Sequence, residues 1–286
     1  MSSLKFNFIT PFAFLLTSVL LIQCSSDDNP NGAQFNSDGC IECKDYFVGD
    51  IFTLKGTEYT VANRKMLLDA LDYEEDLSLY CTSHVSDMNA LFKDRTNFNR
   101  DISAWDLSRV TNTREMFRGA ISFNQDIGGW DVSQVTDMTF MFRDSEEFNQ
   151  DIGNWNVGKV ITMRAMFRNA ESFNQNIGSW DVSKVRVFNA MFDNAISFNG
   201  DIDKWDVRAV DVGSMFNNAR SFNQNIGSWD VSQVYSGFMQ GMFLNAQSFN
   251  SDLSNWCVSL VDSEPIDFAT GSALQSSYYP FWGTCP

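Results

Sequence analysis

Residues Val135–Trp155 read VTDMTFMFRDSEEFNQDIGNW, and their skeleton of Val135, Met138, Met141-Phe142, Phe148-Asn149, Ile152 and Trp155 returns about 25 residues earlier and later. Phe-Asn pairs begin at residues 98, 123, 148, 173, 198, 222 and 249, and Trp recurs at 105, 130, 155, 180, 205, 229 and 256, in steps of 25, 25, 25, 25, 24 and 27. The Val-to-Phe offset is seven from Val110 to Phe117 and again from Val160 to Phe167. A short element recurring at constant length is the mark of a stacked solenoid. Its core is a column rather than a ball, because each unit buries its apolar face only against its neighbours.

The fixed residues belong inside that column. A buried Asn after each Phe can bond backbone groups of its own and the adjacent turn, which a bend would otherwise strand. Gly128, Gly153, Gly178 and Gly227 lie just before a Trp and suit a tight bend. Asp106, Asp131, Asp181, Asp206 and Asp230 directly follow a Trp and read as turn formers through side-chain-to-backbone bonds. A calcium ladder would need several oxygens converging on each ion, which this spacing does not supply, and no metal site is expected.

The chain has 286 residues, 44% of them hydrophobic, and a net charge of −16. That excess of carboxylates argues against nucleic acid or an anionic membrane face as partner, and it suits the solubility of an exposed protein. The first residues form a targeting segment: Lys5, an apolar run from Phe12 to Ile22, then Gln23-Cys24. About 11 apolar residues are too few to span a bilayer. Leu21-Ile22-Gln23-Cys24 resembles the lipobox of bacterial lipoproteins. That resemblance implies a signal peptide over 1–23 and a lipid-bearing N-terminus at Cys24 that holds the protein on a membrane. Ser25-Ser26-Asp27-Asp28 is similar to acidic surface-export signals of such lipoproteins, which implies an outer-membrane protein facing the exterior.

Residues 24–42 are rich in Ser, Asp, Asn and Gly and read as a flexible tether. Residues 43–84 carry no repeat. Ile51–Leu54 and Tyr59–Val61 around Lys55-Gly56-Thr57 read as a hairpin, and Asn63 can cap a short helix from Arg64 to Leu71. Such a unit suits a cap over the exposed cross-section of the first coil. Seven units fill 85–256. Beyond Trp256 the same offsets reach Val261, Phe268, Leu274, Tyr278 and Trp282, a degenerate eighth coil and C-terminal cap over 257–286.

Outside the cell disulfides persist. Cys257 and Cys285 bracket the C-terminal end, and Cys43 and Cys81 bracket the segment before the first repeat, with Cys40 left over. Closing the loop from Cys257 to Cys285 is worth roughly 3–4 kcal/mol in the loop-entropy picture. Cys40-x-x-Cys43 alone could suggest redox or zinc chemistry, but no second ligand pair accompanies it and the only histidine is His84.

Met166–Ala170, Phe173–Ile177 and Trp180–Ser183, with Cys43, Val48-Gly49-Asp50, Cys81-Thr82-Ser83 and the ending Trp282–Pro286, closely resemble the BspA-like bacterial surface proteins. Their repeat of about 25 residues is classed with leucine-rich repeats. The resemblance covers residues 43–286 and implies an α/β-type repeat solenoid, a leucine-rich-repeat-like right-handed stack with one short strand per coil within Val-x-x-Met and a small α+β N-terminal cap. It further implies surface display and adhesion to an extracellular protein or glycan. Arg95 in the small Ala slot of the first coil, Gly213 near the missing Met of the 24-residue unit, and the extra Cys40 depart from the pattern.

On such a stack one row of side chains stands out. The residue after each Met-Phe step is Lys93, Arg118, Arg143 and Arg168, then Asp193, Asn217 and Leu244, with Arg114 and Arg164 four residues before two of the cations. Rows about 4.8 Å apart set neighbouring cations against each other by about 0.9 kcal/mol in water. Either nearby carboxylates such as Asp94 and Asp144 offset that repulsion, or an anionic ligand does, a sulfated or carboxylated glycan or an acidic protein segment. Phe140, in a slot held elsewhere by Ala90, Glu115, Ala165 and Ala190, is a candidate anchor. No phosphate-binding loop, nucleophile elbow or His-Glu-x-x-His motif is present, and no cofactor is implied. Carboxylates recur with the repeat rather than forming a local pair, which weighs against a glycan-active enzyme. The expected function is a binding module acting through one lateral face, the alternative a passive scaffold or spacer.

Overall fold

The computed structural model describes residues 32–286; the targeting segment, Cys24 and the start of the tether lie outside the described residues. Residues 32–42, expected to be structureless, are ordered. β1 (Gln34–Phe35) and β2 (Ile41–Glu42) pair antiparallel. Cys40 and Ile41 are buried, and the Ile41 N–H donates to the Ala104 carbonyl. The polar composition concealed apolar anchors that only the first repeat unit could cover.

β3 (Ile51–Leu54) and β4 (Thr57–Val61) form a hairpin whose two loop residues, Lys55 and Gly56, are both left-handed, the backbone that a two-residue turn demands. Helix α1 (Arg64–Asp72) follows, its Asn63 cap accepting the Met66 N–H. It turns Leu67, Ala70 and Leu71 inward. β5 (Tyr80–Cys81) runs parallel beside β4, and a disulfide joins Cys43 to Cys81. The Thr82 hydroxyl donates to the Asp106 carbonyl and the Trp105 Nε1 to the Leu77 carbonyl, so this section seats directly on the first unit.

The remainder is a repeat protein in which each unit is stacked on the last. Three aromatic columns run through it. Phe117, Phe142 and Phe167 stack at centroid distances of 5.4 and 5.7 Å, Phe123, Phe148 and Phe173 at 5.9 Å, and Trp155, Trp180 and Trp205 at 6.5 and 6.4 Å. From Trp130 to Trp256 each repeat Trp donates its Nε1 proton to a carbonyl of the unit before, as Trp155 does to Ile127 and Trp180 to Ile152, so a buried donor is satisfied at every one of these levels. One continuous apolar cluster extends from Cys40 to Leu274. The parallel stacking stops at Phe268, which meets Phe243 edge-on at 90°, and a disulfide joins Cys257 to Cys285.

The Asn of each Phe-Asn pair does bridge adjacent units, although from the edge of the column rather than its interior. Asn124 Oδ1 accepts the Asn149 N–H, Asn149 Oδ1 the Asn174 N–H, and the series continues to Gln275, which bonds Asn250. The Asp residues after Trp form the expected turns at Asp106, Asp131, Asp181 and Asp230, each accepting an N–H two residues on. Asp206, in the shortened unit, pairs with Arg208 instead.

One expectation gains a reason and one changes. The glycine before Trp does sit in a tight turn, closed at Gly153 by the Trp155 N–H donating to the Ile152 carbonyl, and a Cβ at Gly153 would stand 2.6 Å from the Asn176 carbonyl oxygen, so the missing side chain also makes room for the next unit. The expected strand in each unit shrinks to one bridge residue, in the series Asp87, Asn112, Asp137, Thr162, Val187 and Asp211. Past the bridge the chain cannot stay extended, because two residues per unit are left-handed, Phe140 and Asp144 in the third and Ala165 and Asn169 in the fourth. The interunit bonds survive this: the N–H groups of Met138, Phe140, Phe142 and Asp144 donate to the carbonyls of Thr162, Arg164, Met166 and Arg168.

Candidate functional site

The bridge and the left-handed turns after it form a lateral face on which each residue sits one rung from its counterpart. The first left-handed slot is filled by Ala90, Glu115, Phe140, Ala165, Ala190, Ser214 and Gly241. Phe140 stands at φ 61°, a conformation that a bulky side chain holds only under compulsion, at a cost of order 1–3 kcal/mol. Its compulsion is the bond from its N–H to the Arg164 carbonyl.

Three guanidinium groups surround that ring: Arg114 at 5.3 Å, Arg143 at 5.4 Å and Arg164 at 6.0 Å from the centroid. The ring's negative faces attract cations, and so Phe140 gathers charges from three successive units. Here the sequence-predicted residues Arg114, Phe140, Arg143 and Arg164 meet.

The rest of the expected cationic row is neutralised locally. Glu115 receives Lys93 at 2.6 Å, Arg118 at 2.9 Å and Arg114 at 3.5 Å. The hydrogen bond from Lys93, joined by that from Arg118, holds the Glu115 carboxyl below the usual range. Asp144 pairs with Arg143 at 3.1 Å and Asp193 with Arg168 at 3.0 Å. Burial lifts the Asp193 carboxyl above its ordinary value in spite of Arg168, so desolvation outweighs the ion pair there. Of the carboxylates anticipated from the sequence, Asp144 takes part in these pairs. Asp94 instead occupies a left-handed turn against Gly119. Exposed Arg164 has no carboxylate within ion-pair distance among the described residues.

Glu115 was the counter-charge that the sequence reading missed. Its signal was available, since Glu115 and Phe140 are consecutive departures in a slot otherwise filled by small residues.

Cys40 belongs to the fold. Its thiol is buried, with Sγ 3.3 Å from the Gly129 carbonyl, and burial, aided by Asp106, pushes it up to about 12. Its neighbour Cys43 is committed to Cys81, so the Cys40-x-x-Cys43 spacing forms no dithiol pair. No described helix is long and apolar enough to cross a membrane.

No curated protein matches the chain. A family described as "Mycoplasma protein of unknown function, DUF285" matches residues 61–178, 123–214 and 166–281 in overlapping stretches that together span most of the chain, and the chain belongs to that family.

Proposed function

We propose that this chain is a lipid-anchored, surface-displayed binding module, built as a leucine-rich-repeat-like, right-handed solenoid of the BspA-like kind, with an N-terminal cap over the first coil. It takes an anionic ligand on the lateral face around Phe140. The observation that carries this reading is the convergence of Arg114, Arg143 and Arg164 on one aromatic ring held in a left-handed backbone, with Arg164 exposed and outside the face's ion pairs. A group placed there meets donors that are already oriented and incompletely neutralised, the condition for charge-assisted recognition of a carboxylate or sulfate. The pairing of Lys93, Arg118 and Arg168 with carboxylates favours the alternative, a passive spacer, along the rest of the row.

Binding of the full chain, purified in non-ionic detergent, to an array of glycans and matrix proteins tests this reading beside Arg114→Ser/Arg164→Ser. Selective binding by the parent and its loss in the variant support the site. Binding retained by the variant moves it to another row, and no binding by either leaves the spacer.

A further inference from the structure

Beyond Arg164 the same face changes character. The position after the repeat Val is polar in the first three units, Ser86, Thr111 and Thr136, and then becomes Ile161, Arg186, Val210 and Tyr235. Ile161 is 54% exposed, Val210 39% and Tyr235 57%. The bridge position passes from Asp87, Asn112 and Asp137 through Thr162, Val187 and Asp211 to Phe238, 49% exposed. Nothing in the stacking asks for apolar side chains here, because earlier units fill the same slots with Ser, Thr, Asp and Asn. The rung is continuous as far as Val210: Ile161 N–H donates to Thr136, Arg186 to Ile161 and Val210 to Arg186.

The one lengthened unit adds to this ridge. Counted against its neighbours, its extra residues are Ser236 and Gly237, and they form a 3₁₀ turn over Ser236–Phe238 with Tyr235 at its start. The two aromatic residues flanking that insertion, Tyr235 and Phe238, are exposed, while the two Phe columns inside keep their register across it. A stack this strict in length departs from its period here, and the departure presents aromatic surface rather than covering it. Contiguous exposed aromatic and aliphatic side chains mark protein contacts.

We infer that the occupant of this face is a protein partner, bound through an extended segment that is acidic where it crosses Arg114 and Arg164 and apolar where it crosses Ile161, Val210, Tyr235 and Phe238. The inference rests on the binding reading above and chooses within it. A sulfated polysaccharide answers the arginines and leaves the ridge in water, whereas an acidic–apolar peptide answers both. Five rungs of about 4.8 Å separate the Arg114 unit from the Tyr235 unit. At about 3.3 Å per residue, roughly seven extended residues cross them.

The test pans a displayed random dodecapeptide library on the full chain in non-ionic detergent and measures heparin binding alongside. The expected result is enrichment of peptides with Asp or Glu at one end and Leu, Ile, Phe, Tyr or Trp at the other. The best of them, synthesised, should lose about tenfold or more in affinity both to Arg114→Ser/Arg164→Ser and to Tyr235→Ser/Phe238→Ser. Near-UV circular dichroism of the buried tryptophans confirms that each variant is folded. Heparin binding that needs Arg114 and Arg164 and ignores Tyr235 and Phe238, with no acidic–apolar peptide enriched, overturns the protein occupant and leaves the anion site standing. Enriched peptides indifferent to Tyr235→Ser/Phe238→Ser overturn it too, and absence of both peptide and heparin binding overturns the anion site with it.

Discussion

Phe142 and Phe140 stand two residues apart and obey different rules. At the Phe142 level the units carry Phe92, Phe117, Phe142, Phe167, Phe192, Phe216, Phe243 and Phe268, all fully buried. At the Phe140 level the first seven carry Ala, Glu, Phe, Ala, Ala, Ser and Gly, all with the same left-handed backbone. Inside the column Phe142 stacks on Phe148 of its own unit at 4.0 Å and on its counterparts one rung away at 5.4 and 5.7 Å, so a change in one unit leaves both its own stack and two neighbours mismatched. On the lateral face the backbone supplies the interunit bonds and the side chain is free to vary. Stability and recognition are therefore carried by different rows, and a substitution should disturb one with little effect on the other.

The sharpest way to break that division is Phe142→Ala, which opens a hole between two stacked rings. It should destabilise the protein by about 3–5 kcal/mol, read as a lower urea midpoint; a loss under about 1 kcal/mol would mean that the column is not the source of stability. Asn149→Ala removes the acceptor for the Asn174 N–H and the Gln175 amide and should cost about 1–2 kcal/mol, with faster hydrogen exchange at the Asn174 amide than at its counterparts in other units. Phe140→Gly should act with the opposite sign. It relieves a left-handed bulky residue and should raise the melting temperature by the equivalent of up to about 1 kcal/mol, while weakening whatever anion the face binds.

The smallest effect concerns pH. The Glu115 carboxyl is held below its ordinary value by Lys93 and Arg118, so its contribution is complete above the usual glutamate range near 4.5 and is lost as pH falls through the lowered folded value. Glu115→Gln should therefore be less stable than the parent at pH 7, by under about 1 kcal/mol, and the two should converge in acid denaturation. A gap that widens on acidification would reverse the assigned role of Glu115.

The division also explains what could be read in advance. Phe142, Asn149 and Trp155 announce themselves because the stack demands the same residue at each level. The second left-handed row was equally open, since Asp94, Gly119, Asp144, Asn169, Asn194, Asn218 and Asn245 are the residue types that tolerate that backbone. The first was hidden: Ala90, Glu115 and Phe140 have no such preference, and interunit bonds impose their conformation. The cations of the face were visible as a row, but their partners were not. Whether Arg143 meets Asp144, or Arg168 reaches Asp193 in the next unit, depends on turns that a strand reading did not contain. Residues 32–42 were misjudged because average polarity says little about a segment anchored by Phe35, Cys40 and Ile41.

Because each unit is fastened to the next by a short row of bonds running from rung to rung, the protein has a mechanical grain. Tension between its ends loads one junction at a time rather than the whole assembly, so units peel away in sequence, and each releases on the order of 80–90 Å of slack chain. The two disulfides exempt their own loops from that extension. A molecule built this way gives under load in even increments, lengthening well before it lets go.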